Sequence, residues 1–137
     1  MKYAVIDVGS NTVRLCVYDV LCPEKRKFKT IMNRKIMAGL AAYIVDGAFS
    51  DEGIAEAILA VKKCIKRASY LSPDRIDVFA TAVLRNISNS AQAIAAIEQG
   101  AGCSISLLSN ADEAHLGFVG ASSRGTLDDG ALIDIGG

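Results

Sequence analysis

An apolar, β-branched strand ending in Asp-x-Gly is written twice in this chain, as VIDVGS at 5–10 and as LIDIGG at 132–137. The first copy constrains the fold most. Residues 2–8 (KYAVIDV) and 12–20 (TVRLCVYDV) are both β-branched runs, and only Gly9-Ser10-Asn11 separates them. That spacing predicts a hairpin with a loop of about three residues. The chain therefore opens as an antiparallel pair whose tight turn presents an Asp and several backbone amides at one end of the sheet.

The remaining pattern extends this start. Residues 28–37 predict a third antiparallel strand after the charged turn at 23–27. Gly39, Gly47 and Gly53 punctuate a less regular stretch. Ser50 is placed to cap a helix with Asp51 and Glu52 in its first turn, and Ile54, Ile58, Val61, Ile65 and Ala68 follow at helical spacing. Then come a strand at 76–80, a helix at 90–99 ended by Gly100, a strand at 105–108, a helix at 111–122 and a last strand at 131–135. A β-β-β meander followed by alternating helices and strands, in the order β-β-β-α-β-α-β-α and then β, predicts an α/β fold. It is the RNase H-like pattern, a mixed sheet with helices on its faces.

Composition narrows the function classes. With 137 residues, 51% of them apolar, the chain is long enough to bury a core and is not disordered. Fifteen acidic side chains balance fifteen basic ones, which removes a global electrostatic argument for binding nucleic acid or a membrane surface. No apolar run reaches the length of a membrane span, and the first residues read directly as a strand rather than as a signal peptide. Cys16, Cys22, Cys64 and Cys103 are scattered and His115 is the single histidine, so a structural zinc site is not expected. Reduced thiols in a cytoplasmic protein are the plain reading.

Four stretches can carry chemistry. In Asp7-Val8-Gly9-Ser10-Asn11, glycine allows close backbone approach, turn amides can donate to an anion, and the carboxylate can hold Mg2+. An ordinary hairpin uses the same residues for conformational reasons. The recurrence at Asp134-Ile135-Gly136-Gly137, with the same apolar lead-in, shifts the balance toward two turns gripping one phosphate chain. Asn110-Ala111-Asp112-Glu113 opens the last expected helix. Its spacing alone favours a capping box, with Asn110 as N-cap and Glu113 three residues on; the competing reading is a carboxylate that deprotonates a water. Arg85, just past a strand end, can fork onto phosphate oxygens, although such an Arg is more often simply solvated. Lys62, Lys63, Lys66 and Arg67 read as a solubilising helix face rather than a polyanion track, and His115 as a surface residue.

Taken together, VIDVGSNTVRL at 5–15, GAFSDEGI at 47–54, FATAVLRN at 79–86, SNADEAHLGFVGA at 109–121 and LIDIGG at 132–137 resemble the Ppx/GppA family. These are the exopolyphosphatases and guanosine pentaphosphate phosphohydrolases of the actin/Hsp70/sugar-kinase superfamily. The resemblance follows the whole chain in order. It departs from the family's usual text at 37–43, which lacks an acid found in many members, and at His115, where Arg is common. The Ser, Thr and acidic residue that usually follow the last motif are absent.

The resemblance implies an actin-like ATPase lobe at 1–125 and, at 126–137, the opening strand of a second lobe. The expectation is then a fragment, inactive on its own. It implies Glu113 as the carboxylate that activates the attacking water, and Asp7 and Asp134 as ligands of Mg2+. It also implies Gly9, Ser10, Asn11, Arg85, Gly136 and Gly137 as phosphate contacts. The implied reaction is in-line attack of water on the terminal phosphoryl group of inorganic polyphosphate or guanosine pentaphosphate. Expected partners are that substrate and the second lobe of the same protein, with no nucleic acid and no membrane; a homodimer is left open. Two other readings stay open: a non-catalytic phosphate-ligand-binding lobe, and a sugar-kinase-like ATP-binding lobe, which the D-E-A opening of the last helix argues against.

Overall fold

A computed structural model describes residues 1–25 and 27–123. The chain opens with β1 (Lys2–Val8), β2 (Thr12–Cys22) and β3 (Lys27–Met37). After a 3-10 turn at Leu40–Tyr43 come β4 (Ile44–Val45), β5 (Ala48–Phe49) and the helix α1 (Asp51–Ser69). Next follow β6 (Arg75–Ala80), the one-turn helix α2 (Ala82–Arg85), α3 (Ser90–Ala101), β7 (Ile105–Leu107) and α4 (Asn110–Ser122).

Strands β3-β2-β1-β6-β7 form one five-stranded sheet in that order. The first three run antiparallel, β6 lies parallel to β1 and β7 parallel to β6. This is the expected mixed sheet of an RNase H-like lobe. Period-2 alternation decides which face is covered. Ala4, Ile6 and Val8 on β1, and Val13, Leu15 and Val17 on β2, are all completely buried. Against them lies α1, through Ala57, Ala60, Val61, Cys64 and Ala68, with α3 packed beside it. No polar or charged side chain is buried among the described residues, so burial of apolar surface alone holds this layer together.

Ser50 caps α1 as expected, its hydroxyl accepting from the Gly53 amide at 3.2 Å. The end expected for α3 needs correction. Gly100 lies inside the helix, where a Cβ would come within 2.5 Å of Ile58 Cδ1 on α1; its missing side chain lets the two helices approach. The stop comes two residues later at Gly102, whose φ of 69° is the left-handed conformation suited to glycine. The irregular stretch holds a hairpin of β4 and β5, turned by Asp46 (φ 50°) and Gly47 (φ 78°).

Helix α4 differs from the others in having no buried residue, with Leu116, Phe118 and Val119 between 41% and 50% exposed. Its last turn lies over the sheet face opposite α1, near Arg14 and Asn33. No helix among the described residues is long and apolar enough to cross a membrane. The expected final strand at 131–135, and with it the second lobe's opening segment, lies outside the described residues.

Candidate active site

The three strands β1, β6 and β7 run parallel, so their carboxyl ends reach the same rim of the sheet. That rim is where ligands bind in open α/β sheets. Each strand end delivers one chemically capable side chain.

On β1, Asp7 stands one residue before the strand end, paired with Arg14 on β2 and Phe79 on β6. The loop that follows is braced from behind. The Ser10 carbonyl accepts from the Ala41 amide at 2.9 Å, and the Asn11 carbonyl from Ala38 and Gly39 at 3.1 and 2.9 Å. The Gly9 amide donates back to Thr12 O at 3.0 Å, so it is committed to the turn rather than free for an anion. The amides of Ser10 and Asn11 have no acceptor among the described residues and remain available as donors.

On β6, the strand end runs through Thr81 into α2. The Thr81 carbonyl accepts from Leu84 and Arg85 amides, both at 3.1 Å, and Val83 and Leu84 are buried. One turn of helix anchored this way holds Arg85 close to the rim. Its side chain is only 18% exposed. Nη1 donates to Leu108 O at 2.7 Å and to Glu113 Oε2 at 3.0 Å. Nε is buried with no partner among the described residues.

On β7, the chain passes through Leu108, whose amide donates to Ala80 O at 2.9 Å, into α4. Sequence spacing favoured Asn110 as the cap and Glu113 as its capping-box acid; the structure corrects both. Ser109 is the N-cap, its hydroxyl accepting from the Asp112 amide at 3.1 Å and donating to Asp112 Oδ2 at 2.6 Å. Asp112 therefore occupies the capping-box position. Glu113 is left to face Arg85.

Two carboxylates now share the rim. Partial loss of hydration pushes the Asp7 carboxyl above its ordinary value, the negative charge of Glu113 raises it further, and Arg14 pulls it back. A carboxyl raised by a neighbouring carboxylate in this way suits a divalent cation held jointly with phosphate oxygens, since Mg2+ is typically bound by one or two carboxylates plus its substrate. Asp7 and Glu113 are the carboxylates that would fit such an ion together with substrate oxygens; among the described residues no group of three or more His, Cys, Asp or Glu side chains is placed to hold one by itself. Arg14 is the site residue that sequence reasoning passed over; its signal is the hairpin register, which sets it directly opposite Asp7.

The structure thus brings Asp7, Arg85 and Glu113 together, with Gly9, Ser10 and Asn11 immediately after Asp7. Asp134, Gly136 and Gly137 lie outside the described residues. Lys62, Lys63, Lys66 and Arg67 are exposed on α1, and His115 is exposed on α4.

The family model of the Ppx/GppA phosphatases matches residues 21–137. The chain belongs to that family. Among solved structures, an exopolyphosphatase from Cytophaga hutchinsonii matches 89% of this chain with a TM-score of 0.80 at 25% identity. The Ppx/GppA family member of Aquifex aeolicus matches 90% with a TM-score of 0.79 at 21% identity. The chain covers 38% and 40% of those two chains respectively, so it corresponds to a minor part of a Ppx/GppA phosphatase's length.

Proposed function

We propose that this chain is the lobe of a phosphoanhydride hydrolase that carries the water-activating group and half of the phosphate grip, acting on inorganic polyphosphate or guanosine pentaphosphate in the cytoplasm. The observation that carries the reading is the Arg85–Glu113 pair at 3.0 Å, beside Asp7, with Ser109 rather than Glu113 capping the helix. The carboxylate that its ion pair with Arg85 holds at the ligand-binding rim is not needed to cap the helix, a task that Ser109 and Asp112 have already taken.

In this mechanism the terminal phosphate of the substrate rests on the Ser10 and Asn11 amides, with Gly9 giving the turn its close approach. Arg85 directs positive charge at the phosphoryl oxygens while its bond to the Leu108 carbonyl keeps it in place. With Oε2 of Glu113 tied to Arg85, Oε1 is left to take a proton from the attacking water. Asp7 would hold Mg2+, and the chemistry the ion supplies when bound is neutralisation of charge on the phosphate oxygens. Asp134, Gly136 and Gly137 complete the grip from the opening segment of the second lobe, which is the partner this lobe requires. Nucleic acid and membrane play no part.

A second reading, a lobe that binds phosphate ligands without turnover, is favoured by one observation: the Glu113 carboxylate is already engaged by Arg85 at 3.0 Å. Phosphate release from long-chain polyphosphate with Mg2+ separates the two. It is measured for this chain, for the protein extended to family length, and for the Glu113→Gln variant of the latter. Release by the long form alone, lost in the variant, supports a hydrolase split across two lobes. Binding with no release from either form favours the ligand-binding lobe.

A further inference from the structure

The turn after β1 and the arginine after β6 stand on different strands, yet a run of hydrogen bonds ties them together. The carbonyls of Ser10 and Asn11 are held by the amides of Ala38, Gly39 and Ala41. That segment continues through the 3-10 turn into the β4–β5 hairpin, where the Ser50 amide donates to Tyr43 O at 3.0 Å. The hairpin then meets the stretch that follows Arg85. Ser88 donates to Gly47 O through its amide at 2.8 Å and through its hydroxyl at 3.2 Å.

The next link is made by one side chain to both polar groups of one residue. Asn89 Oδ1 accepts from the Phe49 amide at 2.9 Å, and Asn89 Nδ2 donates to Phe49 O at 2.9 Å. Phe49 faces Ile44 across the hairpin, in a pair flanked by the Ser50–Tyr43 bond. Such a pair in an antiparallel ladder turns its own N–H and C=O outward, away from the partner strand. The carboxamide of Asn89 carries an acceptor and a donor side by side, so it takes the place that a further strand would fill. Asn89 is also the N-cap of α3, a position where asparagine is favoured for capping, but its side chain makes no capping bond. The carboxamide is committed to the hairpin instead. Ser90, the first residue of α3, donates from its hydroxyl to Leu84 O in α2, next to Arg85. A path of bonds thus runs from the phosphate turn, through the hairpin and Asn89, to the helix that carries the arginine.

Resting on the reading given under Proposed function, we propose that Asn89 is a positioning residue for the hydrolysis. It touches no reacting atom. It sets the separation between the Ser10 and Asn11 amides, on which the terminal phosphate rests, and the Arg85 guanidinium directed at the same phosphate. Without the carboxamide the hairpin is released from α3, and the two halves of the grip lose their register while each stays on its own strand.

The test uses the family-length protein with Mg2+ and long-chain polyphosphate. Asn89→Ala should lower kcat by roughly 10–100-fold, the cost of a small misplacement of a catalytic group. KM should stay within about three-fold, because the turn amides still hold the substrate. Asn89→Asp keeps the acceptor and loses the donor; it should lower kcat in the same direction and serves as the milder variant where Asn89→Ala does not fold. Val17→Ala, a truncation in the buried core of β2, controls for lost stability and should leave kcat nearly unchanged below its melting temperature. In an Arg85→Gln background the further loss from Asn89→Ala should shrink to less than about three-fold, since residues acting through one contact are not additive. An unchanged kcat in the Asn89 variants, an equal loss in Val17→Ala, or a loss that persists in full without Arg85 would overturn the assignment alone. No release by the unmodified protein would overturn it together with the phosphatase reading.

Discussion

Arg85 and Glu113, 28 residues apart in the chain, are joined by one ion pair of 3.0 Å, and the same Arg85 nitrogen donates to the backbone of Leu108 at 2.7 Å. The arginine thus ties the end of β7 to the first turn of α4 and fixes where the carboxylate stands. Lysine carries the charge but not the planar fork. Arg85→Lys is therefore expected to lower stability by about 1–3 kcal/mol, read as a shift of the urea midpoint at constant m-value. An unchanged midpoint would mean that the pair is dispensable for folding.

The cap and the carboxylate are separable. Ser109→Ala should cost about 1 kcal/mol of stability and leave the rate of phosphate release in the family-length protein within a few-fold. Glu113→Gln should do the reverse, changing stability by less than about 1 kcal/mol while lowering the rate by roughly 10²–10⁴-fold. Thermal melts and steady-state rates on both variants check this. Equal rate losses in the two would return Glu113 to a structural role.

Asp7 gives a pH test. Its folded-state pKa is raised above the ordinary value of 3.8, chiefly by partial loss of hydration at the rim and then by Glu113. The folded chain therefore holds the proton more tightly than the unfolded chain. The stabilising contribution is full below the unfolded value and is lost as pH rises through the folded value. Asp7→Asn removes that loss. Without divalent cations the variant should melt above the unmodified chain at neutral pH, with the gap closing as the pH falls toward 3.8. Mg2+ should raise the melting temperature of the unmodified chain only. A gap that widens on acidification would contradict the assignment.

Two glycines distinguish space from conformation. At Gly53 a Cβ would lie 2.5 Å from Tyr43 Cβ and 2.7 Å from the Phe49 ring. Gly53→Ala should destabilise by about 1–3 kcal/mol through overpacking, although helix propensity alone favours Ala by about 1 kcal/mol. At Gly102 nothing lies within 4 Å, so Gly102→Ala should lose only the cost of its φ of 69°, about 1–2 kcal/mol. Chemical denaturation of the two variants decides the sign at Gly53.

The hairpin, the third strand and α1 were legible because each is written in local periodicity and capping chemistry. Asp46-Gly47 is also a local hairpin signal, but its strands are two residues long and leave no alternation to read. Gly100 misled because a glycine inside a helix and one that ends it look alike in sequence; only the proximity of Ile58 tells them apart. At the site, the residue types at 7, 85 and 113 could be read, and their convergence could not, since it depends on which strands pair. Ser109 and Asn110 are both good caps, and the choice between them is set by where β7 releases the chain.

Because Asp7, Arg85 and Glu113 ride on three separately paired strand ends, the constellation also acts as a proofreader of strand alignment. In a sheet, slippage by one residue turns every side chain to the opposite face. A β6 displaced by one step against β1, where Val8 now faces Ala80, would carry the start of α2 away from the rim and strip the arginine from its carboxylate. Molecules misaligned in this way could keep much of their helix content and still lack the ion pair. The Arg85–Glu113 contact is then a marker of correctly aligned parallel strands.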